Sequence, residues 1–238
     1  MTFFRRLFPH LIAVAALSAS SFASAASIDF TASSPWSGAN NQTTFSSGIA
    51  TLTATASGGG IAPVMRFNSP GVCTGAAISL SCQGDGIGLY APISVPFVGQ
   101  VDLSTEIDRL GRNEELVVNF SHAVNITSIE VLNLFSLNLG MLSFNERFQV
   151  SINGGAYATY GGPNQTSGSG YFLQALNGQP VTSLNLRPDT SVLGNLASDF
   201  TLARITYSEV PEPSALALGL AGLGAIGLAG LRGRRRRG

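Results

Sequence analysis

The chain has 238 residues, 45% of them hydrophobic and 11% charged, and its formal net charge is zero. The zero is an average, because arginines crowd the two ends while residues 26–210 hold 12 acidic residues against six arginines, a net charge of −6. No lysine occurs anywhere. Since nucleic-acid binding needs a clustered basic face to neutralise phosphates, this composition argues against nucleic acid as a partner.

The C-terminus has three parts in a fixed order. The prolines of Pro211-Glu212-Pro213 end any preceding strand, because each fixes φ and removes a backbone donor. Residues 214–231 carry no charge and have about the minimum length for a transmembrane helix, which they predict. The basic end, residues 232–238, would stay on the cytoplasmic side by the positive-inside rule; its arginines are Arg232, Arg234, Arg235, Arg236 and Arg237.

This tail resembles the PEP-CTERM sorting signal, which a membrane transpeptidase called exosortase reads in Gram-negative bacteria that secrete exopolysaccharide. The resemblance rests on Pro211, Glu212 and Pro213, the short apolar span and the arginine cluster. It implies transient residence in the inner membrane, cleavage near the Pro-Glu-Pro motif and transfer to the cell surface or extracellular matrix. The alternative is an ordinary C-terminal membrane anchor.

The N-terminus predicts export. Arg5 and Arg6 precede the apolar run 11–17, and Ala23-Ser24-Ala25 then forms a small-residue site for signal peptidase, which predicts cleavage before Ala26. The chain therefore divides into a signal peptide (1–25), an ectodomain (26–209) and a sorting and anchor segment (210–238).

The ectodomain is predicted to be all-β, a single β-sandwich or jelly-roll-like domain flanked by the signal helix and the C-terminal transmembrane helix. The ectodomain is long enough to bury one hydrophobic core. Before residue 214 no apolar helical period lasts beyond about two turns. The clearest strand is 49–56, where Leu52 and three alanines share one face and three threonines the other, as alternation in a half-buried strand requires.

About nine strands are expected in all. Residues 148–152 and 156–160 form a predicted hairpin around Asn153-Gly154-Gly155, residues that tolerate positive φ. Residues 116–120 and 126–135 are two strands joined by a connection that holds His122. Prolines and glycines between 61 and 101 favour loops and short extended pieces. The remaining strands are 171–176, 181–186 and 200–207, and residues 199–205 resemble the closing strand of jelly-roll ectodomains.

Cys73 and Cys82 are the only two cysteines. In an exported protein such a pair predicts a disulfide, which here closes a ten-residue loop. A metal site would need more cysteines or histidines nearby.

An acidic stretch follows this loop. Asp102, Glu106 and Asp108 offer the hard oxygen ligands that calcium prefers. Because the spacing is not that of an EF-hand and Arg109 and Arg112 lie close by, the favoured interpretation is a solvated turn whose carboxylates pair with those arginines. We therefore expect no metal and no other cofactor, and little effect of calcium on stability.

The ectodomain offers few catalytic groups. After signal-peptide removal His122 is the single imidazole, so no Ser-His-Asp set or multi-histidine metal site can be built without it. A glycosidase needs only two carboxylates, which Glu106, Asp108, Glu114 or Glu115 could supply, although they lie in one local stretch. The prediction is that the protein is not an enzyme, with a hydrolase as a remaining alternative.

Two binding roles remain open. One is a structural or interaction role at the cell surface or in the matrix, linked to exopolysaccharide or biofilm. The other is a carbohydrate-binding module, with exposed aromatic side chains as its platform; the candidates are Trp36, Tyr157, Tyr160 and Tyr171.

Overall fold

In the computed structural model, the described residues are 24–58, 61–67, 80–95, 97, 99–101, 105–108, 112–139, 142–161, 170–189 and 198–210. Residues Ala25–Ser208 group into one compact unit. The predicted transmembrane helix 214–231, the Pro-Glu-Pro motif and the arginine cluster lie outside the described residues, as does nearly all of the signal peptide. Within the described ranges, no helix has the length and apolar character needed to cross a membrane.

The all-β prediction is confirmed. Between the first two strands lie a short helix α1 (Ser33–Trp36) and a 3-10 turn (Ser37–Ala39). The described strands are β1 (Ala25–Asp29), β2 (Thr44–Ser47), β3 (Ala50–Ala56), β4 (Val64–Phe67), β5 (Ile87–Tyr90), β6 (Ile93–Val95), β7 (Gly99–Val101), β8 (Glu114–Leu132), β9 (Ser136–Leu139), β10 (Leu142–Asn145), β11 (Arg147–Ile152), β12 (Ala158–Gly161), β13 (Phe172–Ala175), β14 (Pro180–Pro188) and β15 (Thr201–Glu209).

Eleven of these strands form one antiparallel sheet. Its main path runs β12-β11-β14-β8-β15-β5-β4, with β1 paired to β15, β13 and β3 paired to β8, and β2 paired to β3. The pairs β6–β7 and β9–β10 form separate two-stranded ribbons. More strands occur than predicted because eight short ones, β1, β2, β4, β5, β6, β7, β9 and β10, carry too few residues for a readable alternation.

The sheet folds back on itself at the long strand β8. The first half of β8 pairs with β3 and β14 and its second half with β13. Phe148 on β11 and Phe200 before β15 have ring centroids 5.3 Å apart. In a flat sheet the three strand spacings from β11 to β15 would separate them by about 14 Å. The sheet is therefore bent into two packed layers, as in a sandwich.

The core lies between these layers. Paired residues share a face, and the row Leu184–Val118–Leu52 crosses β14, β8 and β3 with all three side chains fully buried. Phe30, Trp36 and Phe45 close the core near α1 through ring contacts at 4.7 and 5.8 Å. Each large apolar side chain buried in this way stabilises the fold by about 1.5–3 kcal/mol relative to exposure.

The prediction of two strands separated by a connection at His122 is wrong. Strand β8 runs without a break through this region, and His122 is an exposed residue within it, its Nδ1 3.0 Å from the Ser121 hydroxyl. The pairing of β8 with β14 shifts register between Val181 and Ser183. A bulge therefore replaces the predicted connection, because extra residues on one strand interrupt the ladder without ending the strand.

The hairpin prediction is confirmed. Strands β11 and β12 pair antiparallel, and Asn153 and Gly154 both have positive φ (51° and 70°) at the turn between them. The Asn153 side chain also fastens the bulged start of β14, since its Oδ1 accepts hydrogen bonds from the backbone of Thr182 and Ser183. The strand predicted at 49–56, with threonines along one face, is confirmed as β3.

The region 61–101 forms short strands, as expected, and part of it is held to β1. Asp29 accepts hydrogen bonds from the Thr31 and Ser81 backbone amides, and the Thr31 hydroxyl accepts one from the Cys82 amide. None of the described cysteines is a free thiol. Because Cys73 lies outside the described residues, the Cys73–Cys82 disulfide stays a prediction.

Candidate functional site

One layer of the sheet presents a broad polar surface, which we call the polar face. It is the side of β12, β11, β14, the first half of β8, β3 and β2 that points away from the core. Strand alternation places it there, because every second residue of these strands enters the core and the others must point outward. At about 4.8 Å per strand step, these six strands span about 24 Å from centre to centre.

The polar face consists of cross-strand rows of hydrogen-bonding side chains, with Val117 as the apolar member of one row. One row runs Ser151–Asn185–Val117–Thr53–Thr44, and a parallel row runs Ser183–Asn119–Thr51–Ser46. A third includes Thr159–Gln149–Arg187. Most of these side chains are half-buried or exposed, whereas Gln149 and Ser151 are buried. A surface of amides and hydroxyls suits a ligand that is itself rich in hydroxyl groups.

Glu115 lies at the centre of a hydrogen-bond network on this face. Its Oε2 accepts a hydrogen bond from the Tyr157 hydroxyl (2.5 Å), and its Oε1 accepts one from the Asn185 amide (2.6 Å). The guanidinium carbon of Arg187 lies 3.5 Å from the centre of the Tyr157 ring. Burial and the hydrogen bond to Glu115 raise the pKa of Tyr157 to about 12, so its hydroxyl remains a donor at neutral pH.

Arg187 is held from its other side as well. Its Nε donates to Gln149 Oε1 (2.9 Å), and the Gln149 amide in turn donates to Asp189 Oδ1 (3.0 Å) and Thr159 Oγ1 (3.2 Å). The chain of contacts keeps Arg187, Gln149 and Tyr157 in fixed orientations. A rigid arrangement of this kind loses little side-chain entropy when a ligand binds.

A second tyrosine–glutamate–arginine set has a different environment. Tyr171 donates to Glu130 (2.9 Å), and Arg204 donates to both Glu130 oxygens through Nε (2.6 Å) and a terminal nitrogen (2.7 Å). The Glu130 side chain is 2% exposed and that of Arg204 12%. This set ties β8 to β15 as a buried ion pair. The Tyr157 set is half-buried and accessible.

The aromatic platform predicted from the sequence is wrong in part. Trp36 is 4% exposed and packs against Phe30 and Phe45, so it belongs to the core. Tyr160 is half-buried and packs against Phe148. Of the four candidates, Tyr157 is the one on the polar face. Gln149, Asn185 and Arg187 were not predicted as site residues, although Ser183, Asn185 and Arg187 alternate with buried residues along β14 and could have marked that face.

The interpretation of the acidic stretch as a solvated turn is wrong for its described residues. Asp108 is 2% exposed, and its amide donates to Glu114 Oε2 (3.0 Å). Arg112 is 8% exposed and donates to backbone carbonyls, which are Ala56, Ser57, Gly58 and Ile61. Arg112 thus closes the loop after β3. Asp102 and Arg109 lie outside the described residues.

Glu106 belongs to a different group, a half-buried carboxylate cluster with Glu146 and Asp199. Burial is the largest of the causes that raise the pKa of Glu106 to about 9. The negative charge of Asp199 and the hydrogen bond between the two side chains also raise this pKa. Burial raises the pKa of Glu146 to about 9, against a hydrogen bond from the Phe135 amide that lowers it. Burial also raises the pKa of Asp199, which is hydrogen-bonded to both glutamates. The three groups therefore share protons near neutral pH.

The described residues contain no group of three histidine, cysteine, aspartate or glutamate side chains placed to hold a metal ion. Glu106 and Asp108, two of the calcium candidates, lie in different surroundings, since one belongs to the carboxylate cluster and the other bonds to Glu114.

The comparisons with known proteins concern mainly the tail. Residues 209–237 match the PEP-CTERM protein-sorting motif, and the match begins at the last residue of β15. The motif implies export and sorting to the surface in Gram-negative bacteria, with exosortase as the processing partner. No curated protein is similar enough to count as a relative.

One solved structure with 21% sequence identity is the C-terminal domain of a chitobiase from Bacteroides fragilis. The alignment covers 47% of this chain and 66% of that one, just under two thirds, at a TM-score of 0.21. That score is too low for the resemblance to support any statement about function.

Proposed function

We propose that this PEP-CTERM protein is released to the cell surface or extracellular matrix and acts there through its β-domain as a structural or interaction protein linked to exopolysaccharide. The observation that carries the proposal is the match of residues 209–237 to the sorting motif, which begins at the last residue of the domain's last strand. The signal peptide predicted over residues 1–25 agrees with export. After cleavage near the motif, the domain would be what remains outside the membrane.

A binding role is supported by the polar face, where hydroxyl and amide side chains cover a wide area. The second candidate, a carbohydrate-binding module, is favoured by Tyr157 and Arg187, which stack on this face and are fixed by their partners.

A hydrolase is the less favoured alternative. Glu106 and Asp199 are hydrogen-bonded, as are Glu146 and Asp199. A retaining glycosidase needs its two carboxyl groups about 5 Å apart and an inverting one needs more, so that a substrate or water fits between them. Carboxyl groups that bond directly to each other leave no such space.

The test is fractionation of the producing bacterium with and without exosortase. The mature protein is expected in the surface and matrix fraction of the wild type, and to be released from it when the exopolysaccharide is enzymatically degraded. Without exosortase it should remain in the inner membrane. Equal recovery in the matrix of both strains would contradict the proposal.

A further inference from the structure

We propose that the part of the polar face formed by Tyr157, Arg187, Glu115 and Asn185 is a binding site for a neutral polysaccharide. This inference rests on the proposed surface function for the presence of the ligand, and on the geometry of the polar face for its chemistry. The rows of hydroxyls and amides across β14, β8 and β3 extend the site along the strand-to-strand direction.

Charge selects the class of ligand. Within the site Glu115 offsets Arg187, so the site has no net charge to attract an ion. The ectodomain as a whole carries −6, which repels polyuronates and other polyanions through its long-range field. A neutral polymer is not repelled by this field. Its hydroxyl groups can both donate and accept, as a surface that mixes carboxylate, amide, guanidinium and hydroxyl groups requires.

The contacts also supply the directional groups that sugar recognition needs. Arg187 carries several donors in a planar fork, and Nε is the one that bonds Gln149. Asn185 donates to Glu115 and is also hydrogen-bonded to the Tyr157 hydroxyl, and its amide oxygen is an acceptor. The Tyr157 ring supplies apolar surface beside them, so polar and apolar parts of a sugar can be contacted at one place.

The comparison with the buried set supports a ligand-binding role rather than a structural one. The same three residue types occur in the buried set of Glu130, Arg204 and Tyr171. There the Glu130 side chain is 2% exposed, and Arg204 donates hydrogen bonds to both of its carboxylate oxygens. Among the described contacts of the polar face, Arg187 does not donate a hydrogen bond to the Glu115 carboxylate. It stacks on the tyrosine, and the glutamate is bonded by the hydroxyl and the amide instead.

The experiment measures binding of the full-length protein in detergent to immobilised polysaccharides. The neutral probes are a glucan, a mannan and a galactan, and the anionic probe is alginate. We expect saturable binding to at least one neutral polymer and weaker binding to alginate. Arg187→Gln and Asn185→Ala should each weaken binding at least about tenfold, while Arg187→Lys, which keeps the charge and loses the planar fork, should fall between Arg187→Gln and the wild type.

The matched control is Tyr171→Phe, which removes a phenol hydroxyl from the buried set and should leave affinity unchanged, whereas Tyr157→Phe should lower it. Melting temperatures identify any variant that fails to fold. If Arg187→Gln does not fold, the affinity of Asn185→Ala decides the outcome. No saturable binding to any neutral polymer, a preference for alginate, or wild-type affinity in both variants would overturn the inference. Correct matrix localisation without sugar binding would refute this site alone, and sugar binding without localisation would refute the sorting role alone.

Discussion

Two arginines, Arg112 before β8 and Arg66 on β4, show how a charged side chain can belong to the framework of the domain. Arg112 is almost fully buried, and its guanidinium satisfies several carbonyl oxygens of the loop that follows β3. Arg66 is half-buried and bonds one exposed side chain, Asn41, beside the Tyr90 ring. A count of charges in the sequence treats the two arginines alike, and burial separates them.

We expect Arg112→Ala to lower the free energy of unfolding by about 3 kcal/mol, because it removes the buried guanidinium that donates to four carbonyls at and after the end of β3. Arg66→Ala, the matched control, should cost about 1 kcal/mol or less. Urea denaturation of both variants measures the difference. Equal losses would mean that the loop carbonyls find other partners.

The carboxylate cluster predicts how stability depends on pH. Burial raises the folded-state pKa values of Glu106 and Glu146 to about 9 from the ordinary value of 4.5, so the folded state holds protons that the unfolded state releases. This contribution to stability is complete below about pH 4.5 and is lost as pH rises toward 9. In the presence of a chelator the melting temperature should therefore fall between pH 5 and pH 9.

Glu146→Gln should flatten this dependence, and the exposed Glu209→Gln should not. Thermal melts across the pH series provide the measurement. Calcium is expected to leave the melting temperature nearly unchanged. A rise of several degrees on adding calcium to chelator-treated protein at pH 8 would contradict the shared-proton interpretation, since a ligand that binds only the folded state must raise the melting temperature.

At the scale of elements, close backbone approach decides where a side chain can be added. A Cβ at Gly88 on β5 would lie 2.0 Å from the Thr105 carbonyl oxygen, whereas a Cβ at Gly154 in the hairpin turn would meet nothing within 4 Å. Gly154 has a φ of 70°, so its substitution costs only local strain.

We predict that Gly88→Ala lowers the free energy of unfolding by about 3 kcal/mol or prevents folding, because β5 must move away from the segment 105–108. Gly154→Ala should cost about 1–2 kcal/mol. Denaturation of both variants tests the prediction. A Gly88→Ala protein as stable as the wild type would mean that this contact is loose.

The loop that contains Cys73 is an element whose closure is predicted from the sequence. A disulfide to Cys82 would stabilise the domain by about 3 kcal/mol in the chain-entropy model. Intact-mass analysis of natively purified protein, before and after alkylation, should find no free thiol. Two alkylated cysteines without reduction would refute the pairing.

For the whole molecule, the sorting motif predicts a processed C-terminus. Replacing Pro211, Glu212 and Pro213 with alanines should leave an uncleaved form in the inner membrane, because the enzyme that reads the motif no longer recognises it. Mass spectrometry of surface-extracted wild-type protein should recover no peptide from residues 231–238. Finding such peptides on the mature form would leave an ordinary membrane anchor as the explanation.

Features that are local along the chain could be predicted from its residues alone. The three-part tail is contiguous, so its order alone identifies the sorting motif. Alternation within β3 and β14, and the Asn153-Gly154 turn, follow from the period of a strand and from residues that tolerate positive φ.

Contacts between residues far apart in the chain could not be predicted in this way, because they depend on how the whole sheet folds. Strand β8 continues through His122 because it pairs with β14. Trp36 is buried because the fold places other aromatic rings around it. Glu115 and Tyr157 are 42 positions apart, and Glu115 and Asn185 are 70 apart. Strand periodicity says which side of a strand a residue occupies, but not which strand lies beside it, because pairing depends on the burial and register of the whole sheet.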